Sequence, residues 1–283
     1  MTVVLALLAG LAASIVLERT TRAVFAQPVL ARQNYRGATL ATASGLLVVV
    51  SVIAVEGART IIELLGASDG ATARDRLAIV ATVVAFGALG FIDDVLGDNA
   101  EKGLKGHVAA ALHGRVTTGF IKLGGGAAFA LVVAGAALGG SAGRILVDAA
   151  LIALAANMGN LFDRAPGRTI KVALVAWVPI AVVAGTGATG LALAVVIGAA
   201  IGLLPSDLAE RSMLGDTGAN ALGAALGLAV VLTVSPTART IIAIVLLALT
   251  LVSEVVSFTA VIDRVPPLRA LDRLGRRPPE AAG

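Results

Sequence analysis

The sequence contains no cysteine and only two histidines among its 283 residues. Without thiols, neither a disulfide nor a thiolate-bound metal site can form, and two imidazoles do not complete a zinc site. Aromatic residues make up 3% of the chain, which argues against the aromatic stacking surface that binds single-stranded nucleic acid. Any metal must therefore be bound mainly by oxygen atoms, which favours Mg²⁺ or a similar hard cation.

Charged residues are also scarce, at 14% of the chain, whereas 58% of the residues are hydrophobic. About a quarter of the residues in a soluble domain are charged, so this composition argues against a soluble protein. The sequence pI is about 10.1. We interpret this basic balance as a determinant of membrane topology, and we expect a membrane environment and no nucleic-acid partner.

Nine stretches are apolar enough to cross a membrane, although the sixth and seventh are short for a spanning helix of about 20 residues. They cover approximately residues 1–17, 38–55, 77–92, 123–140, 145–162, 172–184, 191–204, 218–234 and 241–262. Residues 1–17 contain no Lys or Arg, so we interpret them as a retained span and not as a cleaved signal peptide. The predicted fold class is all-α: a polytopic membrane helix bundle of about nine transmembrane helices. It forms one domain over residues 1–283, with a disordered tail at residues 276–283.

Basic residues are unevenly divided between the two sets of loops that alternate along these stretches. One set holds 17 of the 22 Lys and Arg residues, and such a bias marks the cytoplasmic side. The N-terminus is therefore predicted outside and the C-terminus in the cytoplasm. The same loops hold twelve of the 18 acidic residues, which the positive-inside rule does not require. This second enrichment indicates a role for the acids themselves.

Three polar clusters lie where an apolar stretch ends or begins: Gly-Phe-Ile-Asp-Asp at 90–94, Asn-Met-Gly-Asn-Leu-Phe-Asp at 157–163 and Met-Leu-Gly-Asp-Thr-Gly at 213–218. Carboxylates that are partly desolvated at a membrane boundary repel one another unless a cation neutralises them. A Mg²⁺ ion that bridges carboxylates and substrate phosphates would supply that charge. Simpler interpretations remain open, since an Asp pair can end a solvated helix and Asp216 can be an N-cap.

The three clusters, taken in order and with Lys-Gly-Leu at 102–104 after the first, resemble a known family. It is the polyprenyl-phosphate N-acetylhexosamine-1-phosphate transferase family, also called glycosyltransferase family 4. The family includes the lipid I synthases of peptidoglycan synthesis and the enzymes that start O-antigen and teichoic-acid assembly. The resemblance covers roughly residues 38–227, with the motifs in the family's order.

This resemblance implies a multi-pass enzyme of the cell membrane whose active site faces the cytoplasm. Such an enzyme transfers a sugar 1-phosphate from a nucleotide-activated amino sugar to a polyprenyl phosphate, and it releases a nucleoside monophosphate. The resemblance implies Mg²⁺, with Mn²⁺ as an alternative, and suggests a homodimer. It assigns the metal to Asp216 and Asp94, and catalytic roles to Asp93, Asp94 and Asp163, where metal-binding and acid–base roles both remain open.

Candidate substrate-binding residues are the basic and amide side chains on the same side of the membrane. They are Lys102, Lys105, Asn157, Asn160, Arg168, Lys171, Arg264 and Arg269. Lys102 and Lys105 are the leading candidates to hold the lipid phosphate, with Lys122, Arg168 and Lys171 behind them. Each of these five residues is equally well interpreted as an anchor that follows the positive-inside rule.

The sequence departs from the family pattern at three places that concern the donor. Pro166 stands where the family's loop has its second Asp, Ser206 stands where an Asn is common, and a histidine-rich loop near the C-terminus has no counterpart. Arg264 and Arg269 occupy that last region, and arginine can grip a diphosphate in place of histidine. Two alternatives therefore stay open: an inactive family member that acts as an envelope-assembly scaffold, and a lipid-handling or transport protein. The transport hypothesis rests mainly on Glu254, which the sequence places inside the ninth stretch as a buried partner of a residue such as Arg264, or as a protonated acid.

Overall fold

The computed structural model of the chain describes residues 2–66, 73–97, 114 and 116–277. The helices are α1 (Val3–Thr20), α2 (Arg22–Phe25), α3 (Leu46–Leu64), α4 (Ala73–Leu96), α5 (Thr118–Leu138), α6 (Ala142–Phe162), α7 (Arg168–Ala184), α8 (Ala188–Leu208), α9 (Gly215–Thr233), α10 (Pro236–Ser253), α11 (Phe258–Arg264) and α12 (Pro266–Arg273). A 3₁₀ turn at Pro28–Leu30 precedes two short antiparallel strands, β1 (Ala31–Gln33) and β2 (Thr39–Ala41).

The all-α membrane bundle is confirmed. Within the described ranges, seven helices are long and apolar enough to cross a membrane, namely α1, α4, α5, α6, α8, α9 and α10. The other two predicted spans are also helical. Helix α3 carries Glu56, Arg59 and Glu63 in its second half, and α7 has only 17 residues. All nine apolar stretches therefore contain a helix, because a helix satisfies its backbone hydrogen bonds internally in a lipid environment.

Two predicted stretches have different boundaries in the structure. The stretch at 241–262 is not one helix: α10 ends at Ser253, and α11 begins after Ser257, whose hydroxyl caps it by accepting from Ala260 N. Glu254 is thus an exposed C-cap residue of α10, and its predicted burial inside a span was wrong. The stretch at 38–55 begins as β2, because its first residues pair with β1, and α3 starts only at Leu46.

Helices α8 and α9 form the centre of the bundle. Their apolar windows are 83% buried, whereas that of α10 is 6% buried. Helix α1 packs along α8, and α9 packs between α4 and α6. Since α10 remains apolar while facing outward, its surface is suited to lipid and not to water.

Contacts between helix ends show that α1 and α4 each run in the same direction as α8. At one end, Ser206 of α8 donates to Glu18 of α1 at 2.6 Å. At the other end, Thr189 of α8 donates to Asp75 of α4 at 3.1 Å. Near the C-terminus, Arg277 N donates to Leu208 O at 3.4 Å. The two chain termini therefore lie at opposite ends of the bundle, as an odd number of spans requires, while their sides of the membrane remain a prediction.

Two glycines allow the helices around α9 to approach its N-terminal half closely. A Cβ at Gly90 of α4 would lie 2.3 Å from Asp216 O, and one at Gly159 of α6 would lie 2.2 Å from Ala219 O. Real Cβ atoms do not approach a carbonyl oxygen this closely, so neither position accepts a larger residue without moving a helix. The two contacts bring the polar ends of α4, α6 and α9 together.

Candidate active site

Four carboxylates from the three sequence clusters meet at one end of the bundle. Asp93 and Asp94 lie near the C-terminal end of α4, Asp163 caps the C-terminal end of α6, and Asp216 lies in the first turn of α9. We refer to Asp93, Asp94, Asp163 and Asp216 as the acid cluster. The three sequence motifs thus lie at the same end of the bundle, whereas the individual roles of their residues remain proposals.

Lys122, in the second turn of α5, lies at the middle of this cluster. Its Nζ donates to Asp93 Oδ2 at 2.5 Å and to Asp216 Oδ2. The Asn160 amide completes the arrangement, with Oδ1 accepting from Lys122 Nζ at 3.1 Å and Nδ2 donating to Asp216 Oδ1 at 2.6 Å. The Lys122, Asp93 and Asp216 side chains are 16%, 17% and 22% exposed. The group is therefore sheltered but open on one side.

Asp94 has a different environment from Asp93, although the two are adjacent in the sequence. Its Oδ1 accepts from Asp216 N at 3.0 Å, and its Oδ2 accepts from Thr217 N at 2.9 Å and from Thr217 Oγ1 at 2.6 Å. A carboxylate at this position satisfies free amides of the first helical turn and opposes the positive end of the helix dipole. Asp94 thus caps α9 from another helix, and the interpretation of Asp216 as the cap was wrong.

Asp163 is a partly buried member of the cluster that lies near other acids. Burial raises its pKa well above the usual range, and the negative charges of Asp207, Asp216 and Asp94 raise it further. Its Oδ1 accepts one hydrogen bond, from Thr169 Oγ1 at 3.2 Å. Asp207 holds the loop between α6 and α7, because its Oδ2 accepts a hydrogen bond from Gly167 N at 2.7 Å.

A cavity of about 430 Å³ opens beside Asp163. Its wall includes Pro166, which is the position where the family pattern has its second Asp, together with Asn34, Tyr35 and Glu210. Asn34 Nδ2 donates to Glu210 Oε2 at 2.7 Å. Asn34 and Tyr35, which lie between β1 and β2, were not identified by sequence analysis. Strands of only three residues are too short to show a periodic pattern in the sequence.

Two of the predicted phosphate-binding residues hold the C-terminal helices in place. Arg168 is buried, and it donates to both carboxylate oxygens of Asp272, at 2.8 and 3.1 Å, and to Thr259 Oγ1 at 2.8 Å. Lys171 Nζ donates to the carbonyl oxygens of Leu271, Asp272 and Leu274 at 3.2, 2.8 and 2.6 Å. Their hydrogen-bonding capacity is therefore largely used within the protein.

Three further candidates, Asn157, Arg264 and Arg269, have no contact with Lys122 among the hydrogen bonds of the described residues. Asn157 Nδ2 makes a long contact of 3.4 Å to Thr250 Oγ1 of α10. Arg264 and Arg269 are exposed on α11 and α12, and Arg269 donates to Asp263 O at 3.3 Å. Lys102 and Lys105, the leading candidates from the sequence, lie outside the described residues.

The predicted tail also begins differently from the expectation. Arg276 pairs with Asp272 and donates from Nε to Pro166 O at 2.9 Å, so the start of this segment contacts the cavity wall. Burial raises the pKa of Asp272, but the hydrogen bonds and charge of Arg168 outweigh this effect and hold that pKa below its usual range. Residues 278–283 lie outside the described residues.

The donor atoms around Lys122 are compatible with a hard cation, although the described residues contain no group of three or more acidic or histidine side chains placed to hold a metal ion. Two carboxylates and one amide oxygen converge on the ammonium. Mg²⁺ is ordinarily bound by one or two carboxylates together with water and substrate phosphates. Asp93, Asp216 and Asn160 would therefore be the protein's share of such a site.

Comparison with known proteins gives one relative of stated activity. No family model matches the chain. The chain is 32% identical over 178 residues to the phospho-N-acetylmuramoyl-pentapeptide-transferase of Desulforudis audaxviator (strain MP104C). The similarity covers 56% of this chain and 53% of that protein, so the chain spans about half the length of the curated relative it matches. This partial similarity suggests a transferase of the family that the sequence motifs resemble.

Proposed function

We propose that the protein is a membrane phosphoglycosyl transferase that acts on a polyprenyl phosphate. It transfers an N-acetylhexosamine 1-phosphate, or a MurNAc-peptide 1-phosphate, from a nucleotide-activated sugar and releases a nucleoside monophosphate. The observation that carries this proposal is the convergence of three separate acidic motifs, from α4, α6 and α9, on one ammonium group at one end of the bundle. The partial similarity to a transferase supports the same reaction class.

The chemistry of the reaction explains why such a site is useful. Both substrates are phosphate anions, and the attacking phosphate monoester is already largely ionised near pH 7, so charge repulsion and not proton removal is the main obstacle. A divalent cation, when bound, would neutralise charge at the diphosphate leaving group. Lys122 can offer its ammonium to a phosphate oxygen, and Asn160 orients Asp216 through the 2.6 Å hydrogen bond.

Asp94 and Asp163 have supporting roles in this proposal. Asp94 is a positioning residue, because its hydrogen bonds hold the first turn of α9 and with it Asp216. Asp163 has a raised pKa because it is buried and lies near three other acids. It therefore keeps its proton to a higher pH than an exposed carboxyl group does.

The donor class is proposed from the cavity beside the acid cluster. Its volume of about 430 Å³ and its polar wall of Asn34, Tyr35 and Glu210 suit the nucleoside part of a nucleotide sugar. Pro166 lines the same cavity without offering a carboxylate. We therefore propose that Asn34 and Glu210 take part in recognising the base, so that donor preference differs from that of relatives with an Asp at this position.

The direct test uses the purified protein in detergent with a polyprenyl phosphate and Mg²⁺. Release of nucleoside monophosphate is followed for a panel of nucleotide-activated amino sugars. Lipid-dependent release that EDTA stops is the expected result, and it identifies the donor. No release from any donor would favour the scaffold or transport alternative.

The structure weakens the support that Glu254 gave to the transport alternative. Glu254 lies at an exposed helix end and not within a span. Asp148, the other acid near a membrane interior, is paired with Arg144 and Arg239 at the opposite end of the bundle.

A further inference from the structure

The position of Lys122 suggests more than a phosphate-binding role. Its ammonium lies among oxygen atoms from three helices: Asp93 of α4 at 2.5 Å, Asp216 of α9, and Asn160 of α6 at 3.1 Å. This is the type of surrounding that a hard cation receives in proteins. Among the described residues, Lys122 is the one cation that forms an ion pair with Asp93 or Asp216.

Asp94 cannot readily take over the role of these two carboxylates. Both of its oxygens accept hydrogen bonds from the first turn of α9, at 2.6 to 3.0 Å. A cation that bound Asp94 would compete with the cap of a central helix. The carboxylates open to a metal ion are therefore Asp93 and Asp216, and Lys122 holds both.

We propose that Lys122 is a resident counter-cation that occupies the position of the divalent cation in the free protein. The inference rests on the proposed function, which supplies the divalent cation and the donor diphosphate. Lysine suits this task because its charge is compact and its four-carbon stem is flexible. Lys122 would have to leave Asp93 and Asp216 when a divalent cation is bound there, since two cations repel strongly at such short range. Its ammonium would then be free to pair with a phosphate group.

Competition of this kind predicts a specific metal-binding behaviour. Without substrate, the wild-type protein binds a divalent cation weakly, because Lys122 already occupies the two carboxylates and offsets part of their charge. In Lys122→Gln the carboxylates remain, but the competing charge is gone. Its affinity for Mn²⁺ alone should rise by at least about tenfold, the effect that removal of one like charge at close range has on an ionic equilibrium.

The experiment measures Mn²⁺ binding by electron paramagnetic resonance on the full-length protein in detergent, without lipid or nucleotide sugar. Lys171→Gln is the matched control, because Lys171 is also a lysine near this end of the bundle but donates to carbonyl oxygens of 271, 272 and 274. Lys122→Gln should bind Mn²⁺ more tightly and unfold at a lower temperature in EDTA, with Mn²⁺ restoring its stability. Lys171→Gln should bind Mn²⁺ as the wild type does.

Equal or weaker Mn²⁺ binding by Lys122→Gln would overturn the inference. If this variant does not fold, the wild type provides the test through labelling with an amine-reactive reagent and mass spectrometry. Lys122 should be protected in EDTA and more reactive with Mn²⁺, and labelling that Mn²⁺ leaves unchanged would overturn the inference.

Failure of this inference and failure of the proposed function have different signatures. Nucleoside monophosphate release together with unchanged Mn²⁺ binding in Lys122→Gln would contradict the counter-cation role only. Tighter Mn²⁺ binding without release from any donor would support competition for the site and contradict the transferase assignment.

Discussion

The two ends of the helix bundle both shelter charged side chains, but they balance the charge in opposite ways. At the end formed by the start of α4 and the end of α3, Arg76 binds Glu56 at 2.8 Å and Glu63 at 2.6 Å. Arg59 also lies 3.2 Å from Glu63. Each carboxylate there has a guanidinium partner, so the network is neutral and holds two helix ends together.

A second network at that end also gives its carboxylate guanidinium partners, here two arginines for one acid. Asp148, which is 1% exposed at its side chain, is paired with Arg144 and lies 3.1 Å from Arg239. At the opposite end, the four acids of the acid cluster have one cation, Lys122, within ion-pair distance among the described residues. Balanced arginine pairs stabilise a structure, whereas an excess of carboxylates held by one lysine leaves capacity for a cation and its anionic ligand.

The largest expected effect comes from the acid-rich end. Asp216→Asn removes a negative charge at the meeting point of Lys122 and Asn160, and should lower Mg²⁺-dependent release of nucleoside monophosphate by at least about a hundredfold. Asp263→Asn, which changes an exposed acid on α11, is the matched control and should retain activity. Undiminished turnover in Asp216→Asn would contradict the proposed metal site.

We call the opposite end, which holds Arg59, Arg76, Arg144 and Arg239, the arginine end. Substitutions there should change the stability of the protein and not its turnover. Arg76→Met leaves Glu56 and Glu63 without their closest partner, and should lower the free energy of unfolding by about 3 kcal/mol. Unfolding in a denaturing detergent series measures this loss. Activity per folded molecule should not change, and a loss of turnover in the folded fraction would show that the two ends are coupled.

A control for the arginine end is available on the surface. Arg273→Ala removes an exposed ion pair with Asp263, in which the side chains are 65% and 46% exposed. Such a pair should contribute less than about 1 kcal/mol. A loss as large as that of Arg76→Met would contradict the distinction between buried and exposed pairs.

The approach of α4 to α9 can be tested without changing any charge. A Cβ at Gly90 would lie 2.3 Å from Asp216 O, so Gly90→Ala should push the helices apart and cost about 1–3 kcal/mol of stability. It should also lower turnover, because Asp93 and Asp216 would separate. Gly57→Ala is the control, since a Cβ there meets nothing within 4 Å.

The smallest effect concerns the pH dependence of stability. The folded-state pKa of Asp163 is raised by burial and by Asp207, Asp216 and Asp94, so the unfolded chain ionises first as the pH rises. Wild-type stability should therefore fall between the unfolded pKa of about 3.9 and the raised folded value. Asp163→Asn lacks this titration.

The difference in unfolding free energy between the wild type and Asp163→Asn isolates the contribution of Asp163, because the other groups titrate in both proteins. Asp163→Asn should gain stability relative to the wild type as the pH rises across this window. A constant difference measured by thermal unfolding at several pH values would mean that Asp163 is ionised as easily in the folded protein as in the unfolded chain.

The prediction of membrane helices from the sequence succeeded because apolar runs of this length have few other structures available in lipid. The same logic failed for residues 241–262, since hydropathy does not detect the break at Glu254 and the cap that Ser257 provides for α11. The β1–β2 hairpin was also missed. Its pairing joins residues that have no shared sequence pattern.

The acidic residues of the site were found because carboxylates at the ends of apolar stretches are costly and therefore conspicuous. Lys122 was named only behind Lys102 and Lys105, because a lysine near the start of a span is usually an anchor. Its central place depends on which side chains from α4, α6 and α9 face it. Arg168 was likewise expected at a phosphate, but it is buried against Asp272.

The sequence by itself determined the membrane character, the helical segments and the identity of the acidic motifs. These features depend on local composition and on the cost of placing polar groups in lipid. Only the tertiary structure decided that Asp94 caps α9 while its neighbour Asp93 binds Lys122, and that Asp163 lies close to other acids. The reason is that the role of a charged side chain depends on which partners lie within a few ångströms, and helix packing at glycines such as Gly90 brings those partners together.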